Sequence, residues 1–547
     1  MAERDSAVLD ALTGAGAPFE LVDIAVGGVA MRGLRRAEAG LASLFDSFAQ
    51  HADKPFIVSD AERLTFGETA AAAARLTATL ADKGVQPGDR VALAGANSAA
   101  WMVGFVAVAA VGGIPALVNS RGTAADMMDA IALVEARLVL ADAKRAALLA
   151  PLGAECLVPD IDVSPGAPPL PRPDAAPGDP AMILFTSGTT GRAKGATLSH
   201  RAALTGLLLA QMVGAMIAIR MMGPDALRLP RPQQALLLAF PLFHVSGCHA
   251  TFLSALASGG RLVVAPKWDA DAIVALIARE GVTAASGSPA MIWDLIAAKR
   301  RAGIDLPTLT SVSTGGQAQP VNLLDAVVAA FPRAIVGTGF GATETAGMIA
   351  MHTGDDYLAH PRAAGRVLPL AQVRIRDAAG RDMPPGAPGE ITVRGPMVTS
   401  GYWNDREATA RALENGWLRT GDVGALDGEG NLTILDRLTD MVISGGENIY
   451  CAEVEAAIQQ HPGIVEAAAY GVADARLGER LVAVVRAEGP VDLDALGRHL
   501  RGALADYRRP SEIRVTTEGL PRNALGKVEK RALRAAHEQG STADAAA

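Results

Sequence analysis

At 547 residues the chain is too long for one hydrophobic core, so two or more domains are expected. A formal net charge of −8 is modest for that length and argues against nucleic-acid binding as the main task. The three cysteines, Cys156, Cys248 and Cys451, lie far apart without CxxC or Cys/His spacing, which argues against a disulfide scaffold or zinc motif and suits a reducing, cytoplasmic compartment.

Residues 1 to about 40 read as an N-terminal extension or swap segment, and Met1–Ala11 is polar and mixed, unlike a secretory leader. From Leu41 helices and strands alternate. Thr69–Lys83 is an Ala-rich helix closed by Gly84, and Arg90–Ala94 is a strand. Met102–Val118 approaches the ~18 residues that span a membrane. Its Gly112-Gly113 pair and Pro115 instead predict a buried helix passing into a strand. Leu138–Ala141 is another short strand, and residues 159–180 form a Pro-rich linker. Strand Met182–Phe185 follows. Ala202–Ile219 is also nearly long enough to span, but the N-cap Ser199, Gln211 and the following Arg220 favour a core helix, with at most a peripheral membrane contact. Leu236–Phe240, Arg261–Ala265 and Ser311–Thr314 continue the rhythm of an α/β protein with largely parallel sheets. After about Pro361 the short alternating strands Val373–Arg376, Glu390–Arg394 and Leu432–Leu435 suit a β-rich subdomain. From Glu453 a compact α+β unit begins: helix Glu453–Gln460, strands Val465–Gly471 and Leu481–Ala487, and helix Leu493–Leu504. The tail Gln539–Ala547 is expected to be disordered.

Phe185–Gly195 reads FTSGTTGRAKG, with three glycines, four hydroxyl side chains and two cations. It does not fit the GxxxxGK[ST] phosphate loop, yet the composition suits a phosphate. Backbone N–H groups between a strand and a helix can form an anion nest, and Lys194 adds charge. Further along come Gly339-Phe340-Gly341-Ala342-Thr343-Glu344, Trp417-Leu418-Arg419-Thr420-Gly421-Asp422 and Asp436-Arg437-Leu438-Thr439-Asp440. Ser444-Gly445-Gly446-Glu447-Asn448-Ile449 and Pro521-Arg522-Asn523-Ala524-Leu525-Gly526-Lys527 complete the set.

With these motifs in this order, the chain from about Leu41 to Leu533 resembles the acyl-adenylate-forming superfamily of acyl- and aryl-CoA ligases, adenylation domains and luciferases. The resemblance implies a large N-terminal adenylation domain, 1–438, of two parallel-rich α/β subdomains plus a β-rich subdomain. A small mobile α+β C-terminal domain, 439–547, would carry the catalytic lysine. It implies ATP, Mg2+ and coenzyme A as cofactor and substrates. Thr186, Ser187, Gly188, Thr189, Thr190, Gly191 and Lys194 would bind the β- and γ-phosphates. Thr343 would hold the α-phosphate and Glu344 the metal. Phe340 and Gly341 would lie on the adenine, with Gly315, Gly316 and Gln317 along its edge. Asp422 would accept both ribose hydroxyls, supported by Arg437. Lys527 would bridge the attacking carboxylate and the α-phosphate.

In the second half-reaction the C-terminal domain would turn at Thr439 or Asp440, and Ser444, Gly445, Gly446 and Glu447 would guide the CoA thiol. The acyl pocket would be lined by His244, Val245, Ser246, Gly247, Gly315, Gly339, Gly341, Met348 and Ile349, with His244 as its gate. No cation is placed there for a second carboxylate, and no Asp stands at 244 to pair with an ammonium. The expected substrate is thus a monocarboxylic acid of some bulk: a medium- or long-chain fatty acid, a sterol side chain or an aryl-alkanoate. The reading is an ATP-dependent acid–CoA ligase. Its alternatives are an acyl-AMP ligase loading a carrier protein, or a non-catalytic nucleotide-sensing relative. Homodimers are common in such a family, but no feature of this sequence demonstrates one.

Overall fold

Arg90–Ala94, Ile114–Leu117 and Leu138–Ala141 are apolar runs buried at nearly every position, as strands covered on both faces must be. They pair in parallel. The helix Ala99–Ala110 is capped by Ser98 and sends Trp101, Met102 and Phe105 into the core beside them. Met102–Val118 is therefore a buried helix leading into a strand, as its sequence predicts. The computed structural model describes residues 2–187, 193–229, 232–315, 321–487, 489–523 and 527–544.

Among the described residues the strands form four sheets. The first has seven strands and contains the three above, flanked on one edge by Pro180–Ser187, Ala193–Ser199 and Gly401–Tyr402. The second carries the parallel block Ile335–Ala342, Ser311–Gly315, Ala284–Gly287, Ala235–Leu238, Arg261–Val264 and Pro55–Val58. At Gly347–Thr353 the chain doubles back antiparallel on Ile335–Ala342 and offers a free edge. Gly365–Val367, Asn431–Arg437, Trp417–Leu426, Gly389–Arg394 and Gln372–Arg376 extend from that edge. The strands expected to form a β-rich subdomain thus continue the ladder of the second sheet. A third sheet is the hairpin Leu21–Val26 and Val29–Leu34. The fourth lies between Val442 and Thr516, its core built by Val454, Ile458, Leu481, Val485, Leu496 and Leu500.

Three expectations are corrected. The glycine-rich loop does not run from a strand into a helix: Pro180–Ser187 and Ala193–Ser199 pair antiparallel, with Lys194 opposite Thr186. The helix His200–Met222 starts only after the second strand, capped by Ser199. Alternation in AKGATLS was masked by its small residues. The N-terminal segment is not held apart for exchange. Leu12, Phe19, Leu34 and Ala37 are buried in the chain's own main core. Glu38 also receives a bidentate pair from Arg201 at 2.5 and 2.7 Å. Finally, the helix Lys530–Asp544 covers most of the tail expected to be disordered.

His200–Met222 is the one helix among the described residues long and apolar enough to cross a membrane, and 61% of its most apolar window is buried in the protein. This accords with the core helix predicted from Ser199, Gln211 and Arg220.

Candidate active site

The hairpin and the second sheet bring their loop ends together. Lys194 and Thr186 form a cross-strand pair at the end of the hairpin where residues 188–192 connect its strands. Gly188, Thr189, Thr190 and Gly191 lie outside the described residues, as do Gly316, Gln317 and the side chain of Ser187. At the C-terminal ends of the parallel strands, where α/β sheets bind ligands, Gly315 pairs with Gly339. Among the described residues a Cβ on Gly315 would meet the Gly339 carbonyl at 3.7 Å, an ordinary contact. Phe340 is half-buried and follows directly. Thr343 is buried in the short turn Thr343–Thr345, and Glu344 beside it is half-buried.

Segment Thr399–Trp403 stitches these pieces together. Thr399 N–H donates to the Glu344 carbonyl at 2.7 Å, and its hydroxyl donates to the Thr197 carbonyl at 2.7 Å. Tyr402 pairs with Ala196 in the ladder. Its hydroxyl donates to Glu344 Oε1 at 2.9 Å, while the Lys194 ammonium lies 5.1 Å from its ring centroid. Neither Thr399 nor Tyr402 was singled out in the sequence. Gly401-Tyr402-Trp403 has no charge or glycine-rich spacing to mark it.

Asp422 and Arg437 face each other across the antiparallel pair Trp417–Leu426 and Asn431–Arg437. Their side chains form an ion pair at 3.3 Å. Burial nevertheless pushes the Asp422 carboxyl above its ordinary value, against the pull of Arg437 and Lys527. Desolvation wins because Asp422 is only 9% exposed. Lys527 arrives from the small C-terminal unit, 105 residues beyond Asp422 in the chain, close enough for the two charges to act on each other. Burial and the Arg437 charge bring its ammonium down from 10.5 to about 8, with Asp422 opposing.

Lys527 also lies near His244, whose pKa falls to about 3, chiefly through burial and then through the Lys527 charge. His244 Nδ1 accepts the Ser246 N–H at 3.2 Å, so the neutral ring carries its proton on Nε2. A loop residue absent from the expected set holds this segment: Asn97 Oδ1 accepts the Leu242 N–H and Asn97 Nδ2 donates to the Phe240 carbonyl, both at 2.9 Å. Val245 and Gly247 are buried and Ser246 is half-buried.

Several glycines expected in the acyl pocket have packing reasons of their own. A Cβ on Gly247 would lie 2.1 Å from the Pro241 carbonyl oxygen, and one on Gly341 2.0 Å from the Gly347 carbonyl oxygen. One on Gly339 would lie 2.6 Å from Met348 Sδ, which places Met348 against this strand. Ile349 is fully buried in the main core.

Ser444 and Glu447 close a two-residue hairpin, with Gly445 at φ +60° and Gly446 at φ +88°, the left-handed pair that such turns demand. The turn is largely solvent-exposed. Thr439 is exposed, and Asp440 lies in the turn after Arg437, where its N–H donates to the Arg437 carbonyl at 3.0 Å. Across this junction buried Asp436 accepts the Cys451 N–H at 2.5 Å, and the Cys451 thiol donates to the Asp440 carbonyl at 3.1 Å.

A family model described as AMP-binding enzyme matches residues 44–403. A second, described as AMP-binding enzyme C-terminal domain, matches residues 453–527. The chain belongs to the AMP-binding enzyme family. It is 36% identical to the indoleacetate–CoA ligase of Aromatoleum aromaticum, over 85% of this chain and 92% of that protein. It is 34% identical to a (methyl-dioxo-octahydroindenyl)propanoyl:CoA ligase of Mycobacterium tuberculosis, over 92% and 99%. The structure of Bacillus subtilis O-succinylbenzoate coenzyme A synthetase with ATP and magnesium superposes with a TM-score of 0.76 at 27% identity, covering 89% of this chain and 98% of that one.

The donor set of this AMP-binding enzyme fits magnesium. Among the described residues no cluster of three or more His, Cys, Asp or Glu could cage a metal. Magnesium does not require one. It takes one or two carboxylates and completes its octahedron with phosphate and water oxygens. Glu344, half-buried with one oxygen already fixed by Tyr402, offers a carboxylate of the kind such a site needs.

Proposed function

We propose that this enzyme activates a bulky, ring-bearing monocarboxylic acid as its acyl-AMP and passes the acyl group to coenzyme A. At the coarser level it is an AMP-forming acid–thiol ligase, an acyl-CoA synthetase that uses ATP, Mg2+ and CoA. The observation that carries the adenylation step is the convergence of Lys527, Arg437 and Asp422 beside His244. One end of this group suits a ribose and phosphate, the other a carboxylate.

Two anions must meet for the first step. The acid's carboxylate oxygen bonds to the α-phosphorus of ATP, and the bond to the bridging oxygen breaks as pyrophosphate leaves with its electron pair. Charge neutralisation and in-line placement supply most of such catalysis. In this reading Lys527, protonated at neutral pH, bridges the carboxylate and the α-phosphate, which its burial beside Arg437 and Asp422 supports. Asp422 accepts ribose hydroxyls, and Arg437 holds Asp422 in place. Thr343 and Lys194 contribute donors to the phosphates. When bound at Glu344, magnesium neutralises phosphate charge. His244 is neutral with an Nε2–H donor, so it can face a carboxylate without carrying a second buried charge.

In the second step the CoA sulfur bonds to the acyl carbonyl carbon, AMP leaves, and the thiol proton goes to solvent or the departing phosphate. We assign residues 1–438 to the adenylating domain and 439–547 to a domain that turns at Thr439 or Asp440. That motion withdraws Lys527 and presents Ser444–Glu447. The exposed turn, and a Lys527 already seated at the site, support this order of events.

Two relatives named for indoleacetate and a bicyclic propanoate support a ring-bearing acid. The test is a panel of indoleacetate, a polycyclic propanoate, a C10 fatty acid and acetate, assayed for pyrophosphate exchange and for CoA thioester. Ring-bearing acids are expected to lead in both. A sole preference for acetate sinks the substrate class, and acyl-AMP without thioester sinks the CoA step.

A further inference from the structure

We propose that Tyr402 is a positioning residue for MgATP, setting the Glu344 carboxylate and the Lys194 ammonium in fixed relation to each other. This rests on the adenylating reading above. The phenol touches both functional groups: its hydroxyl donates to Glu344 Oε1 at 2.9 Å, and its ring lies under Lys194 Nζ at 5.1 Å. Two motifs 150 residues apart in the chain thus share one side chain.

The backbone around Tyr402 is held firmly enough for such a role. Tyr402 pairs with Ala196, two residues beyond Lys194 on the same strand face, which brings ring and ammonium into diagonal contact. Its N–H donates to Thr409 Oγ1 at 2.9 Å. Gly401 before it has φ +133°, and a Cβ there would lie 2.6 Å from Thr409, so only glycine fits this entry. Trp403 after it donates to the Gly195 carbonyl at 2.8 Å.

The consequences follow from ligand chemistry. Magnesium demands near-ideal octahedral angles, so a carboxylate ligand benefits from having its other oxygen fixed by a second group. The hydroxyl of Tyr402 takes Oε1 and leaves Oε2 free to ligate. A ring face beneath an ammonium attracts it without neutralising it, so Lys194 keeps its charge for phosphate.

The test is calorimetric binding of ATP, with magnesium and with excess chelator, to the wild-type full chain and two variants. Tyr402→Phe keeps the ring and loses the hydroxyl. It is expected to weaken MgATP binding by ~10-fold, the order of one hydrogen bond to a charged group, while changing magnesium-free ATP binding by less than ~2-fold. Tyr402→Leu removes the ring as well and is expected to weaken magnesium-free ATP too, because Lys194 loses its platform. A purely structural role would instead weaken both forms equally in Tyr402→Phe, and that result overturns the proposal. So does unchanged MgATP binding in Tyr402→Phe. A wild-type protein with no preference for MgATP over ATP overturns both this proposal and the metal reading of Glu344. A wild-type preference that survives in Tyr402→Phe overturns the role of Tyr402 alone.

Discussion

Lys527 sits in its site at a cost, and that cost is measurable. Burial and the Arg437 guanidinium lower its ammonium from 10.5 to about 8. In the free enzyme it is therefore about 90% protonated at pH 7 and about 10% at pH 9. In the proposed mechanism adenylation needs the cation, so kcat/KM for acid-dependent pyrophosphate exchange should fall about tenfold between pH 7 and pH 9. Lys527→Arg keeps a permanent charge and should remove this alkaline limb, at a much lower absolute rate because the fork is larger and planar. The same shift has a stability consequence. The folded pKa lies below the unfolded value, so the charged lysine disfavours the folded state at every pH below about 8. That penalty fades as pH rises from about 8 towards 10.5. The full shift corresponds to about 3 kcal/mol, and partial solvent access reduces the realised cost to about 1 kcal/mol. Lys527→Met should thus raise the denaturant midpoint at pH 7 but not near pH 11, while abolishing adenylation. A wild-type kcat/KM that stays flat to pH 9.5, or an alkaline limb that persists unchanged in Lys527→Arg, refutes the reasoning.

Asn97→Ala removes both hydrogen bonds that hold the loop before His244 and leaves the buried Leu242 N–H unpaired. It should destabilise the protein by about 2 kcal/mol in urea titration and raise KM for the acid more than for ATP. Gly247→Ala would drive a methyl into the Pro241 carbonyl and should cost about 3 kcal/mol or more, read as a lowered melting temperature. Among the described residues Gly315→Ala meets an ordinary 3.7 Å contact and should fold normally, so any loss appears in KM for ATP or the acid. Asp436→Asn weakens the carboxylate cap on the Cys451 N–H across the proposed hinge. It should slow acyl-AMP formation at least several-fold while sparing thioester formation from supplied acyl-AMP. Equal slowing of both half-reactions would show that Asp436 is not a hinge latch.

The sequence by itself determined the reaction class. Each group proposed to face phosphate, ribose or metal sits in a short motif that carries the family resemblance, and the order of the motifs is readable without coordinates. It also determined most elements, because runs such as Arg90–Ala94, Leu138–Ala141 and Ala99–Ala110 carry their burial in their apolarity and their caps in Ser or Gly. Where those signals were weak, it misled. AKGATLS is a strand whose small residues hide its alternation, so a hairpin read as a loop before a helix. The tertiary structure alone decided which groups meet. Lys527 reaches Asp422 and His244 across distant stretches of chain, and Tyr402 joins Glu344 to Lys194, although neither meeting leaves a trace in local pattern. It also showed that Gly247 and Gly341 are glycines because backbone carbonyls press on them. Local sequence specifies the conformation and chemistry of a segment. Proximity between segments, with the pKa values and orientations it creates, exists only once packing has closed the distance.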